Sequence, residues 1–441
     1  MRTGKVSFTA AMAAAVLFCF ISVVLTSALA AEFNWRKYEG TSIRALLGKS
    51  AFTRLTMKHI KDFEALTGIK VQAEYYPSHQ ARRKVLVELG GGNKDLDIFQ
   101  GLMKMAFQYE KAGWLHPLDD FLADPDMQAP EYNYNDVFPK LHAKINGKTI
   151  GLINSTNPQV LIYRKDLFEK HGVKVPANWE EIEAAAKKLT LDTNSDGKTD
   201  IFGWIARMNQ ENTAPFASFL YNNNAAYLDS NRQPVFNSPQ AVEALKFYGH
   251  LAQTYGPPGA STIGWKEVVG AIAQGKAAMT VEISIFAKLV LENPKRSKVV
   301  GKLGYAPFPA AKGGPYQAVL PCNMYFISAM SEKKEAAWML MQYLGSKKVV
   351  MDTQMRGLPM SLQSAWTDPK FKAADKLPEL SKLQYNAIQN GIVGFEIPIA
   401  GFSEARPVIQ NLIYTAYEGG DVQSAADQAV KQVAEIMKRT E

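Results

Sequence analysis

The chain has 441 residues, of which 47% are hydrophobic and 21% are charged. This composition is ordinary for a globular protein and excludes a fibre or a disordered chain, and the length is sufficient for two or three domain-sized cores. The formal net charge is +8, but lysine and arginine are scattered without a basic block, which argues against nucleic acid as a partner.

The first thirty residues have the features of a secretion signal. Two cations precede an apolar run at 10–25, and Ala28-Leu29-Ala30 supplies the small side chains that a signal peptidase requires. We therefore predict a signal peptide over 1–30, cleavage between Ala30 and Ala31, and a periplasmic mature chain. The alternative is an uncleaved membrane anchor, for which the apolar run is short.

From residue 41 the hydrophobic periodicity switches regularly between strand and helix. Gly68 occupies the position of a C-terminal helix cap. The predicted elements, in order, are a strand at 41–48, a helix at 51–68, a strand at 69–75, a helix at 79–92 and a strand at 96–101. The β-α-β-α-β order is typical of a parallel sheet with covering helices.

The same alternation resumes further along the chain, which indicates a second α/β region. Asn178 and Glu181 have the spacing of a helix N-cap and capping box. The predicted elements are two strands and a helix at 148–172, a helix at 178–190, a strand at 201–206, a helix at 238–256, a helix and strand at 265–283, a strand and helix at 320–346, and a helix at 423–439. The polar stretch at 153–159 is predicted to cross between the two regions.

The stretch from Gly270 to Lys276 matches most of a phosphate-binding P-loop but lacks the final serine or threonine. Its context is also reversed, because a helix ends at the glycine and a strand follows, whereas a P-loop leads from a strand into a helix. We interpret it as a turn that ends a helix.

A second motif resembles a calcium-binding loop. Asp192, Asn194, Asp196 and Asp200 have the spacing of calcium ligands, but Gly203 stands where a bidentate glutamate is required. One interpretation is a tight connector rich in Asp, Asn and Gly. The alternative is a weak structural calcium site formed by these four residues.

Amide and aromatic side chains follow several of the predicted strands. Flat aromatic rings cover the apolar face of a sugar, and planar polar groups bond its paired hydroxyls. The residues of these types are Gln100, Asn157, 222–224, Trp265, Asn323 and Tyr325. Together they favour a carbohydrate-binding site at the ends of the strands.

Several longer stretches resemble one family along nearly the whole mature chain. They are "FEALTGIKVQAEY", "LDIFQG", "YEKAGWLHPLDDFL", "INGKTIGLINSTNPQVLIYRKDLFEKHGVKVPANWEEIEAAAKKLT", "AIAQGKAAMTVEISIF", "LGYAPFPAAKGG", "AAWMLMQYLGS" and "RGLPMS". The chain resembles the extracellular solute-binding proteins of bacterial ABC importers, in the carbohydrate-binding family that includes maltose-binding protein. "TYGPPGASTIGWKE" resembles its polyol- and sugar-binding subset.

The resemblance implies a type II two-lobe α/β fold, in which each lobe is a mostly parallel sheet flanked by helices and the chain crosses the hinge three times. The implied lobes are 31–152 with 304–346 and 153–303 with 347–441. It further implies a monomer without a cofactor, which binds a sugar, polyol or small glycoside by hinge closure and delivers it to a membrane permease that a separate ATPase drives.

The resemblance also implies where the ligand lies, since ligands of open α/β sheets bind at the carboxyl ends of strands. The candidate substrate-binding residues are Lys49, Ser50, Gln80, Gln100, Asn157, Trp204, Asn222, Trp265, Glu282, Asn323, Tyr325, Arg356 and Arg406. The maltose-binding branch has a tryptophan that stacks on sugar where this chain has 282–286 without one. This difference argues against maltodextrin and for a smaller ligand or a platform formed by Trp265.

Two alternatives belong to other functional classes. A secreted carbohydrate-active enzyme would require convergent acid and base groups, and no spacing in the sequence indicates them. A calcium-dependent adhesion protein would lose its fold on chelation, whereas we expect EDTA to change the melting temperature by little or nothing.

Overall fold

The computed structural model describes residues 33–441, so the predicted signal peptide at 1–30 and its cleavage between Ala30 and Ala31 lie outside the described residues. Its strands are β1 (Ser42–Lys49), β2 (Lys70–Pro77), β3 (Ile98–Leu102), β4 (His142–Ile145), β5 (Lys148–Thr156), β6 (Gln159–Arg164), β7 (Met279–Ile283), β8 (Leu303–Ala306), β9 (Val319–Leu320), β10 (Cys322–Ile327) and β11 (Ile392–Val393).

The helices cover the sheets and fill the space between them. They are α1 (Ala51–Thr56), α2 (Ile60–Thr67), α3 (Ser78–Gly90), α4 (Met103–Lys111), α5 (Asp119–Ala123), α6 (Lys165–His171), α7 (Trp179–Lys188), α8 (Thr213–Asn222), α9 (Pro239–Tyr255), α10 (Trp265–Ala273), α11 (Lys334–Gly345), α12 (Lys347–Met355), α13 (Gln363–Thr367), α14 (Pro369–Ala374), α15 (Pro378–Asn390), α16 (Phe402–Tyr417) and α17 (Val422–Thr440). None of these helices is long and apolar enough to cross a membrane.

Two main sheets define two lobes. The first has six strands in the order β2-β1-β3-β10-β5-β4, and the second has three strands in the order β7-β6-β8. In the first sheet β1 pairs parallel with β2 and β3, while β10 pairs antiparallel with both β3 and β5. The predicted β-α-β-α-β unit is therefore confirmed as the parallel half of the first lobe.

The second sheet differs from the expected parallel arrangement, because β6 pairs antiparallel with both β7 and β8. A long connection separates β6 from β7, so the chain can return in either direction, and local periodicity carries no information about which. The expectation of a mostly parallel sheet thus holds for the half of the first sheet formed by β1, β2 and β3, but it is wrong for the second sheet.

Local capping signals in the sequence are confirmed. Gly68 ends α2 in the left-handed conformation, with φ of 72°, and its N–H bonds the carbonyl of Glu64. The Asn178 side chain accepts from the Glu181 N–H at 2.9 Å, and the Glu181 carboxylate reaches back to the Ala177 N–H at 2.8 Å. Both helix ends are satisfied by residues that the sequence identifies.

The predicted strand at 201–206 does not form. This segment makes only isolated bridges, from Ile201 to Leu191 and from Phe202 to Ala277. A Cβ atom on Gly203 would lie 1.9 Å from the Ala186 carbonyl oxygen of α7. The glycine that breaks the calcium motif is therefore required where the segment passes close over a helix.

The chain crosses between the lobes at three places that lie side by side. β5 and β6 belong to different sheets, yet only Asn157 and Pro158 separate them. The Asn157 N–H bonds the Pro321 carbonyl at 2.8 Å, and the Thr156 N–H bonds the Pro359 carbonyl at 3.1 Å. These bonds join the first crossing to the other two, at Pro321 and at 356–362.

Three of the expected lobe boundaries fall in the wrong place. β5 continues in the first sheet to Thr156, so the boundary at 152 is early, and β8 pairs with β6, which puts the segment from 304 to 306 in the second lobe. The α12 helix packs on the first lobe, where Asp352 lies 3.1 Å from the imidazole of His59. Sequence periodicity identifies such elements but cannot indicate the sheet against which a surface element packs.

Candidate functional site

A cleft of 1120 Å³ lies between the lobes and opens next to the first crossing. The first lobe contributes the end of β1, the start of α1 and residues of β2, and the second lobe contributes the start of α10 and the chain that follows β7. The lining residues are Lys49, Ser50, Ala51, Phe52, Thr53, Arg54, Met57, Tyr75, Ser78, Asn157, Trp265, Ile283, Ile285, Phe286, Leu289, Val290, Arg296 and Asn323. Its size suits a small molecule.

Two aromatic rings form a flat surface on the second-lobe side. Trp265 and Phe286 stack with a centroid distance of 5.2 Å and an interplanar angle of 7°. Trp265 is the first residue of α10, where its backbone N–H donates to Glu211 Oε2 at 3.0 Å. The anchored helix start keeps the indole at the cleft, where a flat ring can cover the apolar face of a sugar.

Strand alternation separates the residues around β7 into two groups. Ile283 and Ile285 line the cleft, whereas Glu282 is only 1% exposed and bonds the buried guanidinium of Arg207 from the other face. Neighbouring side chains of a strand point to opposite faces, so Glu282 supports the sheet beneath the cleft and does not line it.

Gln100 supports the first-lobe wall of the cleft from its buried side. Its Oε1 accepts hydrogen bonds from the Gly48 N–H at 3.0 Å and from Thr53 Oγ1 at 2.9 Å. Tyr325 lies in the same layer, with its hydroxyl 3.2 Å from Thr56 Oγ1. Gln100 and Tyr325 are buried, so they position the turn between β1 and α1 without reaching the cleft.

The support from Gln100 leads to a testable expectation. Replacement of Gln100 by alanine removes the acceptor of two buried donors, which should lower the free energy of unfolding by about 1–3 kcal/mol. Ligand affinity should also fall, because Thr53 lines the cleft. Urea unfolding and calorimetric titration measure the two effects. Gln72→Ala, at an exposed residue of β2, is the control, and equal stability of the Gln100 variant and the control would contradict the expectation.

The crossing places two amides at the floor of the cleft. Asn157 is 7% exposed, and its Oδ1 is buried without a hydrogen-bond partner among the described residues. The Asn323 side chain donates to Ser155 Oγ at 3.3 Å and also lines the cleft. A buried amide oxygen without a partner is costly unless a ligand or water satisfies it, so Asn157 indicates where a hydroxyl would bind.

The predicted site residues thus divide into distinct groups. Five of them come together in the cleft, and these are Lys49, Ser50, Asn157, Trp265 and Asn323. Gln100, Tyr325 and Glu282 lie beneath it. The others do not line it, and they are Gln80, Trp204, Asn222, Arg356 and Arg406.

The structure explains why three of these remain outside the cleft. Trp204 is 0% exposed and packs edge-on against Phe219 in the core of the second lobe. The Asn222 amide bonds both the N–H and the carbonyl of Gln317, which fixes a loop. Gln80 is exposed on α3.

The two arginines form ion pairs elsewhere. Arg356 pairs with Asp352 at 2.9 Å and lines a separate cavity of 360 Å³. The Arg406 guanidinium donates to the Gln210 carbonyl at 2.9 Å, and its Nε lies 3.1 Å from Glu396 Oε1 without the geometry of a hydrogen bond. Both are therefore engaged away from the cleft lining.

Glu396 is the centre of a buried charged cluster that joins the lobes. Its Oε1 accepts from Lys104 of α4 at 2.9 Å and from Thr213 of α8 at 3.0 Å, while its Oε2 has no partner among the described residues. Burial lowers the pKa of Lys104 to about 8. The attraction of Glu396 opposes this shift, and the repulsion of Arg406 adds to it. The cluster is an internal ionic contact between the first and second lobes.

The loop with calcium-like spacing uses its carboxylates on its own backbone. Asp192 accepts from the N–H groups of Ser195 at 2.7 Å and Gly197 at 2.8 Å, and these bonds, that of Gly197 foremost, lower the pKa of its carboxyl. Asp200 accepts from Thr193 at 2.8 Å. No group of three or more His, Cys, Asp or Glu side chains within 33–441 is placed to hold a metal ion together. The geometry fits the connector interpretation.

Arg54, Arg296 and Phe286 line the cleft but are absent from the predicted site. The sequence offered a signal for Phe286, because this residue lies in the region 282–286 where the maltose-binding branch has its stacking tryptophan. The sequence offered no such signal for Arg54 and Arg296, since an exposed arginine on a helix or loop has the same local pattern whether it faces solvent or a cleft.

Comparisons with known proteins agree with this geometry. A family model described as bacterial extracellular solute-binding protein matches residues 49–351, and the chain belongs to that family of solute-binding proteins. The erythritol/L-threitol-binding protein of Mycolicibacterium smegmatis is 25% identical over 334 residues, which cover 72% of this chain and 69% of that protein.

Solved structures of relatives show the same architecture. An ABC transporter solute-binding protein from Agrobacterium radiobacter K84 in complex with ribitol has a TM-score of 0.79 and 26% identity, and the match covers 90% of this chain and 99% of the other. One from Agrobacterium vitis S4 with bound D-mannitol has a TM-score of 0.73 and 25% identity, covering 91% and 99%. The two-lobe α/β fold is thereby confirmed.

Proposed function

We propose that this chain is the substrate-binding component of an ABC import system and captures a sugar, polyol or small glycoside between its lobes. The observation that carries the proposal is the inter-lobe cleft, in which a stacked aromatic pair on one wall faces polar groups of the other and an unpartnered amide oxygen lies at the floor. This arrangement can bind the apolar and polar faces of a carbohydrate without any chemical step.

The proposed cycle follows from the hinge. A ligand binds one wall, rotation about the three crossings brings the second wall against it, and water is excluded from the closed cleft. The closed form would dock as a monomer on permease subunits of the inner membrane, which a separate ATPase drives. We propose a periplasmic location, reached through the signal peptide at 1–30, and lobes of 33–156 with 322–356 and of 159–317 with 363–441.

A thermal-shift screen tests the proposed function. Monosaccharides, polyols, disaccharides and sugar phosphates are added to the purified protein, and at least one should raise the melting temperature, because a ligand present at a hundredfold excess over its Kd stabilises the folded state by about 2.7 kcal/mol. Release of product from the ligand that binds would instead establish an enzyme. A screen in which no carbohydrate or polyol raises the melting temperature would refute the proposal.

A further inference from the structure

The charges that line the cleft are all of one sign. Lys49 and Arg54 belong to the first-lobe wall and Arg296 to the second, and the lining includes no aspartate or glutamate. A neutral polyol presents hydroxyl groups whose protons are well bound by carboxylates, and this cleft offers none of those. Its charge instead matches a ligand that carries negative charge.

These three cations also lack acidic partners in the described part of the chain, where none of them forms an ion pair within 4.0 Å. Basic groups close to the cleft behave differently. Arg44, on the same strand as Lys49, contacts Glu74 and Glu88, and Lys288, close to Phe286 in the chain, bonds Asp375 at 3.0 Å.

We propose that the natural ligand is an anionic carbohydrate, a sugar or polyol that carries a carboxylate or a phosphate. Its apolar face would lie on Trp265 and Phe286, and one hydroxyl would donate to Asn157 Oδ1. The acidic group would bind between the first-lobe cations and Arg296. This inference rests on the proposed function and specifies the substrate class of the same cleft.

The physical reason lies in closure. When the lobes approach, cations from opposite walls are brought together and lose water, which disfavours the closed state unless a counter-charge is enclosed with them. Charge-assisted hydrogen bonds from arginine to a carboxylate or phosphate are about twice as strong as neutral ones. An acidic ligand therefore stabilises the closed state more than its neutral counterpart does.

Matched pairs of a neutral ligand and its acidic counterpart test the inference by calorimetric titration of the purified protein. The pairs are ribitol with ribonate, glucose with glucuronate, and mannitol with mannitol 1-phosphate, so that the first two examine a carboxylate and the third a phosphate. In at least one pair the acid should bind about tenfold more tightly than the neutral member, and this preference should shrink in high salt, which screens the exposed cations while the cleft is open.

Single variants locate the contact. Arg54→Gln, Arg296→Gln and Lys49→Gln should each weaken binding of the acid by about three- to tenfold and reduce its preference over the neutral member of the same pair. Lys431→Gln removes the same charge from an exposed position of α17 and is the matched control. All four positions are exposed, so the variants should retain the melting temperature of the unliganded protein.

The outcomes separate the two proposals. If neutral members bind as tightly as the acids in every pair that binds, the ligand is neutral and this inference is refuted while the proposed function stands. If the acid preference persists in all three cleft variants, the cations do not hold the ligand and the inference is refuted as well. If no member of any pair and no compound of the thermal-shift screen binds, both proposals fail.

Discussion

Replacement of Glu396 by alanine should lower the free energy of unfolding by about 3–5 kcal/mol, because it removes the counter-ion of the buried Lys104. Lys104 is 8% exposed and lies over the rings of Phe395 and Phe402, so water cannot replace the lost carboxylate. The repulsion between Lys104 and Arg406 would then act without the anion that separates them. Urea unfolding followed by circular dichroism measures the change.

Lys104→Met is the matched variant. It removes the cation from the same pair but leaves Glu396 close to Arg406 and Thr213, so its destabilisation should be clearly smaller than that of Glu396→Ala. The methionine also fills most of the space of the lysine stem. If the unfolding midpoints of Glu396→Ala and of the unmodified protein coincide, the cluster contributes nothing to stability.

The cluster also predicts a pH dependence. Burial, the largest cause, lowers the pKa of Lys104 from 10.5 to about 8 in the folded protein. Between these two pH values the unfolded chain holds a proton that the folded chain has lost. The free energy of unfolding therefore rises by on the order of 3 kcal/mol as pH increases from about 8 to 10.5, and this gain is lost as pH falls back to 8. The rise should be absent from Lys104→Met, and equal slopes in both proteins would contradict the assignment.

Replacement of Trp265 by alanine should weaken ligand binding by about tenfold to hundredfold, because the ring supplies the flat apolar surface on the second-lobe wall. The indole is partly exposed without ligand and already stacks on Phe286 at 5.2 Å, so little reorganisation is needed before a sugar ring covers it. The measurement is calorimetric titration with whichever compound raises the melting temperature most.

Two controls accompany the Trp265 variant. Trp265→Phe keeps a ring and should retain an affinity between those of the alanine variant and the unmodified protein. Trp35→Ala removes a tryptophan that packs edge-on against Phe33 and Tyr343, away from the cleft lining, and should not change affinity. Unchanged binding by Trp265→Ala would remove this residue from the site.

Most local features of the fold were predictable from the sequence, because helices, caps and glycine turns depend on residues that are neighbours in the chain. The helix stop that mimics a P-loop is an example, since Gly275 takes φ of 78° between α10 and β7. The antiparallel pairing of β6 and the packing of α12 on the first lobe were not predictable, because both depend on contacts between residues far apart in the chain.

The candidate site shows the same division. Asn157 and Trp265 combine a suitable side chain with a position at a crossing or a helix start, and sequence reasoning places both near a ligand. Glu282 and Ile283 are neighbours in the chain, yet the strand register points Glu282 toward Arg207 beneath the cleft and Ile283 into the cleft. Side-chain direction of this kind becomes visible only when the partner strands are known.

The two-residue link between β5 and β6 has a mechanical consequence. Displacement in a rotation grows with distance from the axis, so Asn157, which sits in the link and bonds the neighbouring crossing at Pro321, would move least in the proposed rotation of the lobes. Trp265 and Lys49 line opposite walls of the cleft and would move further than the link. In the proposed binding cycle, the Asn157 amide would therefore contact the ligand in the open and closed forms alike, whereas Trp265 and Lys49 would both contact it only after closure.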